Sequence, residues 1–216
     1  MTGAGAGAML EAVSAGDAAE VERLLESDPA LASARGADGV SAILQARYHG
    51  HAWMAERLAD SVVELDLFEA AALGRVSRVD EMLQADPETV RSIAADGFTA
   101  LHLAAFFGQL EATAVLLEHG AVPDVVAANP SRVRPLHSAA AGGHAAIVGL
   151  LLERGADPDA RQQGGYVPLH ASAALGDVVS VRLLLEHGAD RAMRTDDGRL
   201  AADLASGDGL AELLST

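Results

Sequence analysis

Histidines are the residues of this chain with the clearest capacity for metal binding or acid–base chemistry, and there are eight of them. His102, His137 and His170 recur at steps of 35 and 33 residues. Such regular spacing predicts equivalent positions in separate structural repeats instead of one cluster. No two histidines have the H-E-x-x-H spacing of a zinc hydrolase. We therefore predict structural histidines and no metal site.

Other catalytic groups form no recognisable constellation. The chain has no cysteine and no lysine, which excludes thiolate and Schiff-base chemistry. It contains no G-x-S-x-G nucleophile motif. Most of its 31 acidic residues fall on outward helix positions, as Glu111 and Glu153 do, and a solvated acidic surface is the simpler interpretation than a catalytic carboxylate pair. We expect no catalytic residues, no cofactor and no enzymatic activity.

The stretch of residues 96–121, DGFTALHLAAFFGQLEATAVLLEHGA, predicts how these side chains are positioned. Asp96-Gly97 favours a turn, and Thr99 stands at the N-cap of a first short helix. Gly108 ends that helix, and a second amphipathic helix runs to Gly120. Two helices of this length cannot bury their apolar faces alone, so the unit needs neighbours of its own kind.

Equivalent units recur along the chain. The glycines that correspond to Gly108 follow one another at steps of 33 to 35 residues, with one short step of 24, at Gly16, Gly50, Gly74, Gly143, Gly176 and Gly209. Related tetrapeptides occur at residues 99–102 (TALH), 134–137 (RPLH) and 167–170 (VPLH). With these features the chain resembles ankyrin-repeat proteins, which have a period of about 33 residues and a T-P-L-H-x-A signature.

The resemblance implies an all-α solenoid of about seven helix-turn-helix repeats joined by short β-hairpin-like loops. Residues 1–8 are predicted to be a flexible tail, and residues 9–216 a single array. Its repeats are expected at about 9–37, 38–64, 65–95, 96–128, 129–161, 162–194 and 195–216. The short step predicts that the hairpin between repeats two and three is missing, which would leave a notch in the row of hairpins.

The resemblance also implies roles for the signature residues. Pro135 and Pro168 are expected at the first helical position. The imidazoles of His102, His137 and His170 are expected to bond to backbone and to link helix with hairpin, with Thr99 as an additional partner of His102. Phe68 is placed by register at the histidine position of repeat three.

Charge and hydropathy narrow the classes of partner. The formal net charge of −16 argues against binding to nucleic acid or to an anionic membrane and favours a basic partner. No apolar run approaches the roughly 18 residues of a membrane span, and no signal peptide is recognisable. A cytoplasmic location is the resulting expectation.

Aromatic residues indicate a binding surface, because there are only seven (one Trp, two Tyr and four Phe). By register, most of them fall on the concave groove through which ankyrin-repeat proteins contact partners. The predicted partner-binding residues are Tyr48, His49, Leu73, Phe98, Phe106, Phe107, Arg132, Val133, Tyr166 and Leu175. The alternative is that Phe106 and Phe107 only fill a gap left by alanine-rich neighbours.

These observations predict a non-enzymatic scaffold that captures another protein, with a monomer favoured over a homodimer. Self-association through the same groove is the first alternative. A small-molecule-sensing regulator is the second alternative, and it would require a closed pocket with converging polar groups.

Overall fold

A computed structural model describes residues 3–206 and 208–215, and these form a row of antiparallel helix pairs. The described residues form no strand, apart from the isolated bridges Arg35–Ser41 and Arg194–Leu200. We number the pairs as repeats one to seven. They are α1 (Gly3–Ala15) with α2 (Ala18–Ser27), α3 (Ala42–Tyr48) with α4 (Ala52–Ala59), α5 (Leu67–Leu73) with α6 (Val76–Ala85), α7 (Ala100–Phe106) with α8 (Leu110–Glu118), α9 (Pro135–Gly142) with α10 (Ala145–Glu153), α11 (Pro168–Leu175) with α12 (Val178–Glu186), and α13 (Ala201–Leu204) with α14 (Asp208–Ser215).

Local sequence signals set the ends of these helices. Ser41 Oγ accepts a hydrogen bond from the backbone N–H of Leu44 at 3.2 Å, and Asp17 accepts one from Glu20 at 3.0 Å. Gly108 has a φ of +78°, a conformation that glycine adopts without the cost that other residues incur. A Cβ at this position would also lie 2.6 Å from the ring of His144, so the packing of the next repeat requires glycine there.

The first helices of neighbouring repeats stack side by side, and the second helices form an outer layer behind them. Fully buried alanines, such as Ala70, Ala104 and Ala139, separate α5, α7 and α9 and allow these helices to approach closely. Larger apolar side chains, such as Leu116 and Leu151, fill the space between the two layers. None of the helices in the described part of the chain has the length and apolar character needed to cross a membrane.

The apolar core divides where the repeat spacing is short. One cluster contains buried residues of repeats one and two together with Leu73, and a second extends from α5 to α14. We call a third set the junction cluster, which joins repeats two, three and four. It consists of Val40, Leu44, Ala72 and Leu103, with the partly buried rings of Phe68, Phe98 and Phe107 packed against them.

A short connection, residues 60–66, replaces a hairpin between α4 and α5, but the predicted notch does not remain open. The hairpin of repeat two (residues 35–41) lies against the hairpin of repeat four (residues 94–98). A Cβ on Gly39 would come within 2.8 Å of Ala95 Cβ. A cavity of about 120 Å³ remains between the two hairpins. The notch closes because buried apolar contact is favourable and nothing separates the two loops.

Two local predictions differ from the structure. The flexible tail was predicted over residues 1–8; residues 1 and 2 lie outside the described residues, but from Gly3 onward the segment belongs to α1, and Ala6 and Ala8 pack against the N-terminal core. This packing offsets the low helix propensity of the alternating glycines. Phe68 does not hold the histidine position either. Asp66 is the N-cap of α5, so Glu69 occupies that position, and the two residues form a capping box.

Candidate functional site

A half-enclosed cavity of about 290 Å³ lies between the first helices and the hairpins of repeats four and five. Repeats four and five contribute most of its wall, repeat two contributes Tyr48, and the hairpin that follows α10 contributes Gln162. The lining consists of Tyr48, Phe98, His102, Leu103, Phe106, Ser131, Val133, His137, Ser138, Ala141 and Gln162. None of these side chains carries a formal charge at neutral pH, so the cavity offers an apolar surface bordered by a few polar groups.

The cavity results from a difference in side-chain size between adjacent repeats. Phe106 and Ala141 occupy the same position, two residues before the glycine that ends each first helix. The ring of Phe106 projects from α7 and is 38% exposed, whereas Ala141 on α9 leaves the space beside it unfilled. A large residue followed by a small one therefore forms a wall and an adjoining depression.

An aromatic cluster borders the cavity on the side of repeat two. The Phe107 ring lies 5.1 Å from the Phe106 ring in an edge-to-face arrangement and 5.5 Å from the Tyr48 ring. The guanidinium of Arg47 stands 4.5 Å from the centre of the Phe107 ring, and its Nη2 donates to the Phe107 carbonyl at 3.4 Å. These contacts join repeats two and four directly, which is possible because repeat three has no hairpin between them.

Tyr48 is held in place by a carboxylate of repeat four. Its hydroxyl donates a hydrogen bond of 2.7 Å to Asp96 Oδ2, and Asp96 Oδ1 accepts the backbone N–H of Phe98 at 3.1 Å. Burial and the adjacent carboxylate raise the pKa of the Tyr48 hydroxyl above its ordinary value. Tyr48 is therefore a neutral donor with a defined orientation at the edge of the cavity.

The signature histidines link each helix to the next hairpin. The Nδ1 atom of His102 accepts the backbone N–H of Thr99 at 3.3 Å, so its Nε2 carries the proton and donates to the Val133 carbonyl at 3.1 Å. His137 and His170 repeat this arrangement, donating to the carbonyls of Tyr166 and Arg199 at 3.4 and 3.3 Å.

Burial lowers the pKa of all three imidazoles, and for His102 and His137 to about 4, although the hydrogen bonds that the rings donate to backbone carbonyls act in the opposite direction. The rings are therefore neutral at physiological pH. Because both ring nitrogens of each histidine are already engaged, none of the three has a free lone pair for catalysis or for a metal.

The threonine contact occurs in repeat four alone among these three repeats. Thr99 Oγ1 lies 2.9 Å from His102 Nδ1, whereas Arg134 and Val167 bond to their histidines through backbone N–H alone, at 3.2 and 3.1 Å. The prolines, Pro135 and Pro168, are the first residues of α9 and α11.

Four of the predicted binding residues line the cavity: Tyr48, Phe98, Phe106 and Val133. Phe107 lies at the edge of the junction cluster and serves packing, which is the alternative considered for it. Leu73 is 6% exposed in the N-terminal core, so its prediction as a groove residue was wrong. Leu73 packs with buried residues of repeats one and two instead of facing the groove.

The remaining predicted residues lie away from the cavity or on its border. Tyr166 packs 5.7 Å from the ring of His170, and its hydroxyl accepts a hydrogen bond from Arg199. Leu175 is 55% exposed, and the exposed His49 ring stacks on His51 at 6.1 Å. Arg132 is exposed between two cavity residues, with a φ of +52° that is unusual for a residue other than glycine.

Several cavity residues were not predicted, because the prediction rested on aromatic residues, on the positions just before the helix-ending glycines and on the longer loop around Arg132. Ala141 could have been found from its register with Phe106, since a small residue beside a large one indicates a depression. Ser138 and Gln162 carry no such signal, because only the packing of α9 beside the next hairpin brings them to the cavity. In the part of the chain that the structure describes, no three histidine or acidic side chains are grouped so that they could hold a metal ion.

The helix pairs, the linking histidines and the concave groove define a repeat protein of the ankyrin class. Residues 67–162 match the family described as ankyrin repeats (3 copies), and residues 151–205 match ankyrin repeats (many copies). The chain belongs to the ankyrin-repeat family. Domains of this family generally mediate protein–protein interactions and are typically non-enzymatic.

Two rice proteins (Oryza sativa subsp. japonica) are similar to part of the chain. A probable E3 ubiquitin-protein ligase, XBOS31, is 39% identical over 79 residues, which is 36% of this chain and 17% of the relative. The E3 ubiquitin-protein ligase XB3 is 37% identical over 78 residues, with the same shares. The match therefore spans about a sixth of the length of these curated relatives.

Proposed function

We propose that this chain is a non-enzymatic scaffold that binds a partner protein through its concave groove, with the cavity as the centre of the contact. The observation that carries the proposal is the position of the apolar cavity beside two exposed aromatic rings, those of Tyr48 and Phe106. Exposed aromatic side chains around an apolar depression are typical of residues that contribute most of the binding free energy.

Rigid presentation is the proposed mechanism. The bonds from His102, His137 and His170 to the next repeat fix the helices and hairpins that border the groove. A surface ordered before binding loses little conformational entropy when the partner arrives. The net charge of −16 would accelerate the encounter with a basic partner and make the association rate fall with salt.

The size and chemistry of the cavity favour a protein over a small substrate. Pockets for small molecules usually have volumes of about 300 to 1,000 Å³, so a half-enclosed cavity of about 290 Å³ is at or below the lower limit. Its two histidines have both ring nitrogens engaged, which argues against an acid–base role. The proposal accordingly includes no enzymatic activity and no cofactor, a monomeric state and a cytoplasmic location.

The two relatives offer limited support. The ligase activity in their names belongs to whole proteins, of which the similarity covers 17%. For this chain we extend only a protein-binding role to the shared repeats.

Affinity capture from a native lysate with a matched set of variants tests the proposal. Phe106→Ala removes the wall of the cavity, and Ala141→Phe fills the depression. Ala174→Phe is the control, because Ala174 holds the same position in repeat six and is exposed away from the cavity. We expect a protein that is captured by the wild type and the control and lost from both cavity variants, and calorimetry with the purified partner then measures its affinity.

Two other results would contradict the proposal. Identical sets of captured proteins for all four baits would show that the cavity does not contribute to binding. A concentration-dependent dimer in light scattering that Ala141→Phe abolishes would instead assign the groove to self-association.

A further inference from the structure

A carboxylate next to the cavity has no ion-pair partner among the described residues. Asp96 lines the smaller cavity of about 120 Å³ and adjoins the larger one through its bonds to Tyr48 and Phe98. Arg35 lines the same smaller cavity but is paired with Asp66 and Glu69.

Asp96 accepts hydrogen bonds from Tyr48 and from the backbone of Phe98, and no described cation lies within ion-pair distance of it. The carboxylates of the last hairpin differ in this respect, because Asp196 pairs with Arg161 and Asp197 pairs with Arg199. Asp96 is thus a fixed negative charge, attached through Tyr48 to the cavity wall.

The cations near the cavity do not neutralise this charge. The guanidinium of Arg47 is engaged with the ring and the carbonyl of Phe107. Arg132 is exposed between the lining residues Ser131 and Val133, on the hairpin next to that of Asp96, and forms no ion pair with any described residue. Since no guanidinium of the described residues pairs with Asp96, its carboxylate is available to a cation of a bound segment.

Two polar groups of the cavity also lack partners. The hydroxyl of Ser138 and the side-chain amide of Gln162 form no hydrogen bond with any described residue, and both face the cavity. An amide can donate to a backbone carbonyl and accept from a backbone N–H, as an extended peptide would require. These groups lie on the side of the cavity away from Tyr48 and Asp96, which come from repeats two and four.

The volume suits a single large side chain. A cavity of about 150 Å³ is sufficient to bind benzene. The present volume of about 290 Å³ can therefore hold a phenylalanine, leucine or tryptophan side chain together with part of its backbone.

We propose that the cavity receives one large apolar side chain of an extended partner segment, and that a lysine or arginine of the same segment forms an ion pair with Asp96. The inference rests on the proposed function, since it specifies the chemistry of the segment that enters the groove. The apolar side chain supplies most of the affinity, and the ion pair sets the direction in which the segment lies across the groove.

A random 12-residue peptide library displayed on phage tests the inference with the full chain as bait. Peptides are selected on the wild type, after removal of those that bind Ala141→Phe. We expect the selected peptides to share one large apolar residue with a lysine or arginine at a constant distance from it. A synthetic peptide of the consensus should bind Ala141→Phe at least 10-fold more weakly than the wild type, and Ala174→Phe within twofold of it.

Asp96→Asn removes the charge with the smallest change in shape. Its single side-chain oxygen can still accept the backbone N–H of Phe98, and its amide group can donate to the Tyr48 hydroxyl in place of the bond that the carboxylate accepts. We expect this substitution to lower the affinity for the consensus peptide about 5-fold or more at low salt. It should not change the affinity for a peptide whose basic residue is replaced by glutamine. Glu118→Gln removes the same charge from the exposed surface of α8 and should leave the affinity unchanged.

The outcomes distinguish the inference from the function on which it rests. The inference is overturned if the cavity-dependent peptides lack a basic residue, carry an acidic one, or bind Asp96→Asn as tightly as the wild type. Each of these results leaves the proposed groove binding intact. A library that yields no binder sensitive to Ala141→Phe overturns the inference. If the captured partner is also insensitive to Ala141→Phe, the proposed function fails with it.

Discussion

The hydroxyl of Tyr48 donates a hydrogen bond of 2.7 Å to Asp96, although the two residues belong to repeats two and four. In a solenoid each repeat ordinarily contacts only its immediate neighbours. The contact exists here because repeat three has no hairpin, so the hairpins on either side of it meet at Gly39 and Ala95. It brings an aromatic side chain of the N-terminal half to the cavity of the C-terminal half.

Tyr48→Phe should lower the free energy of unfolding by about 1 kcal/mol, because it removes one hydrogen bond to a carboxylate that remains partly solvated. Urea unfolding measures the change. Tyr166→Phe is the matched control, since the hydroxyl of Tyr166 bonds within the regular part of the array to Arg199. An unchanged midpoint for Tyr48→Phe would mean that the contact between repeats two and four does not contribute to stability.

Substitution of the two adjacent phenylalanines should separate packing from binding. Phe107 packs against the junction cluster, so Phe107→Ala should destabilise the protein by about 2 kcal/mol. Phe106 is 38% exposed, and Phe106→Ala should cost less than about 1 kcal/mol while weakening the groove ligand. Thermal unfolding and binding are measured on both variants. A larger loss of stability for Phe106→Ala than for Phe107→Ala would contradict this assignment.

Introducing the signature threonine into a repeat that lacks it should increase the stability of the protein. Val167→Thr keeps the shape of a buried side chain and supplies a hydroxyl for His170 Nδ1, as Thr99 does for His102. We expect a gain of about 0.5–1.5 kcal/mol, and a loss of similar size for the reverse change Thr99→Val. Chemical denaturation of the pair provides the test, and a loss in both variants would show that the histidine in repeat six cannot accept a second donor.

Stability should fall between about pH 6.5 and pH 4, because the folded state holds His102 and His137 at a pKa of about 4, below the ordinary value of 6.5. Above pH 6.5 these imidazoles are neutral in both the folded and the unfolded protein, and the stability that their lowered pKa provides is fully present. As the pH falls, the unfolded chain takes up protons first and the stabilisation is lost. At pH 5 the loss is about 2 kcal/mol for each histidine.

A comparison of variants isolates this effect from other groups that titrate in the same range. Burial raises the pKa of Glu69, and this acts in the opposite direction. His137→Gln cannot titrate, so its unfolding free energy should depend on pH less steeply than that of the wild type, by about 2 kcal/mol between pH 7 and pH 5. His49→Gln, at an exposed position, is the control. Parallel pH profiles for all three proteins would refute the prediction.

The regular part of the fold follows from the sequence because its causes are local. Asp17, Ser41 and Thr99 stand at helix N-caps, the terminal glycines have positive φ, and the histidine spacing places each imidazole beside the next hairpin. Each of these features depends on a few adjacent residues and on the repeat period. The ankyrin class and the all-α fold were therefore predictable.

The position of a residue within its repeat did not by itself determine which predicted groove residues are buried and which are exposed. By sequence, Leu73 and Phe107 are equivalent to exposed positions, but one lies in the N-terminal core and the other against the junction cluster. Their burial depends on how far repeats two and four move together when the hairpin between them is absent. That distance is set by the packing of the whole junction.

The sequence by itself thus determined the type of repeat and most of its helix N-caps, and through the family resemblance it gave the linking role of the signature histidines. Only the tertiary structure decided that Tyr48 reaches Asp96, that the space beside Phe106 is a cavity, and that Asp96 stands there without a cation. The physical reason is the range of the forces involved. Caps and periodicity act within a few residues, whereas a cavity and an unpaired charge are properties of surfaces brought together from distant parts of the chain.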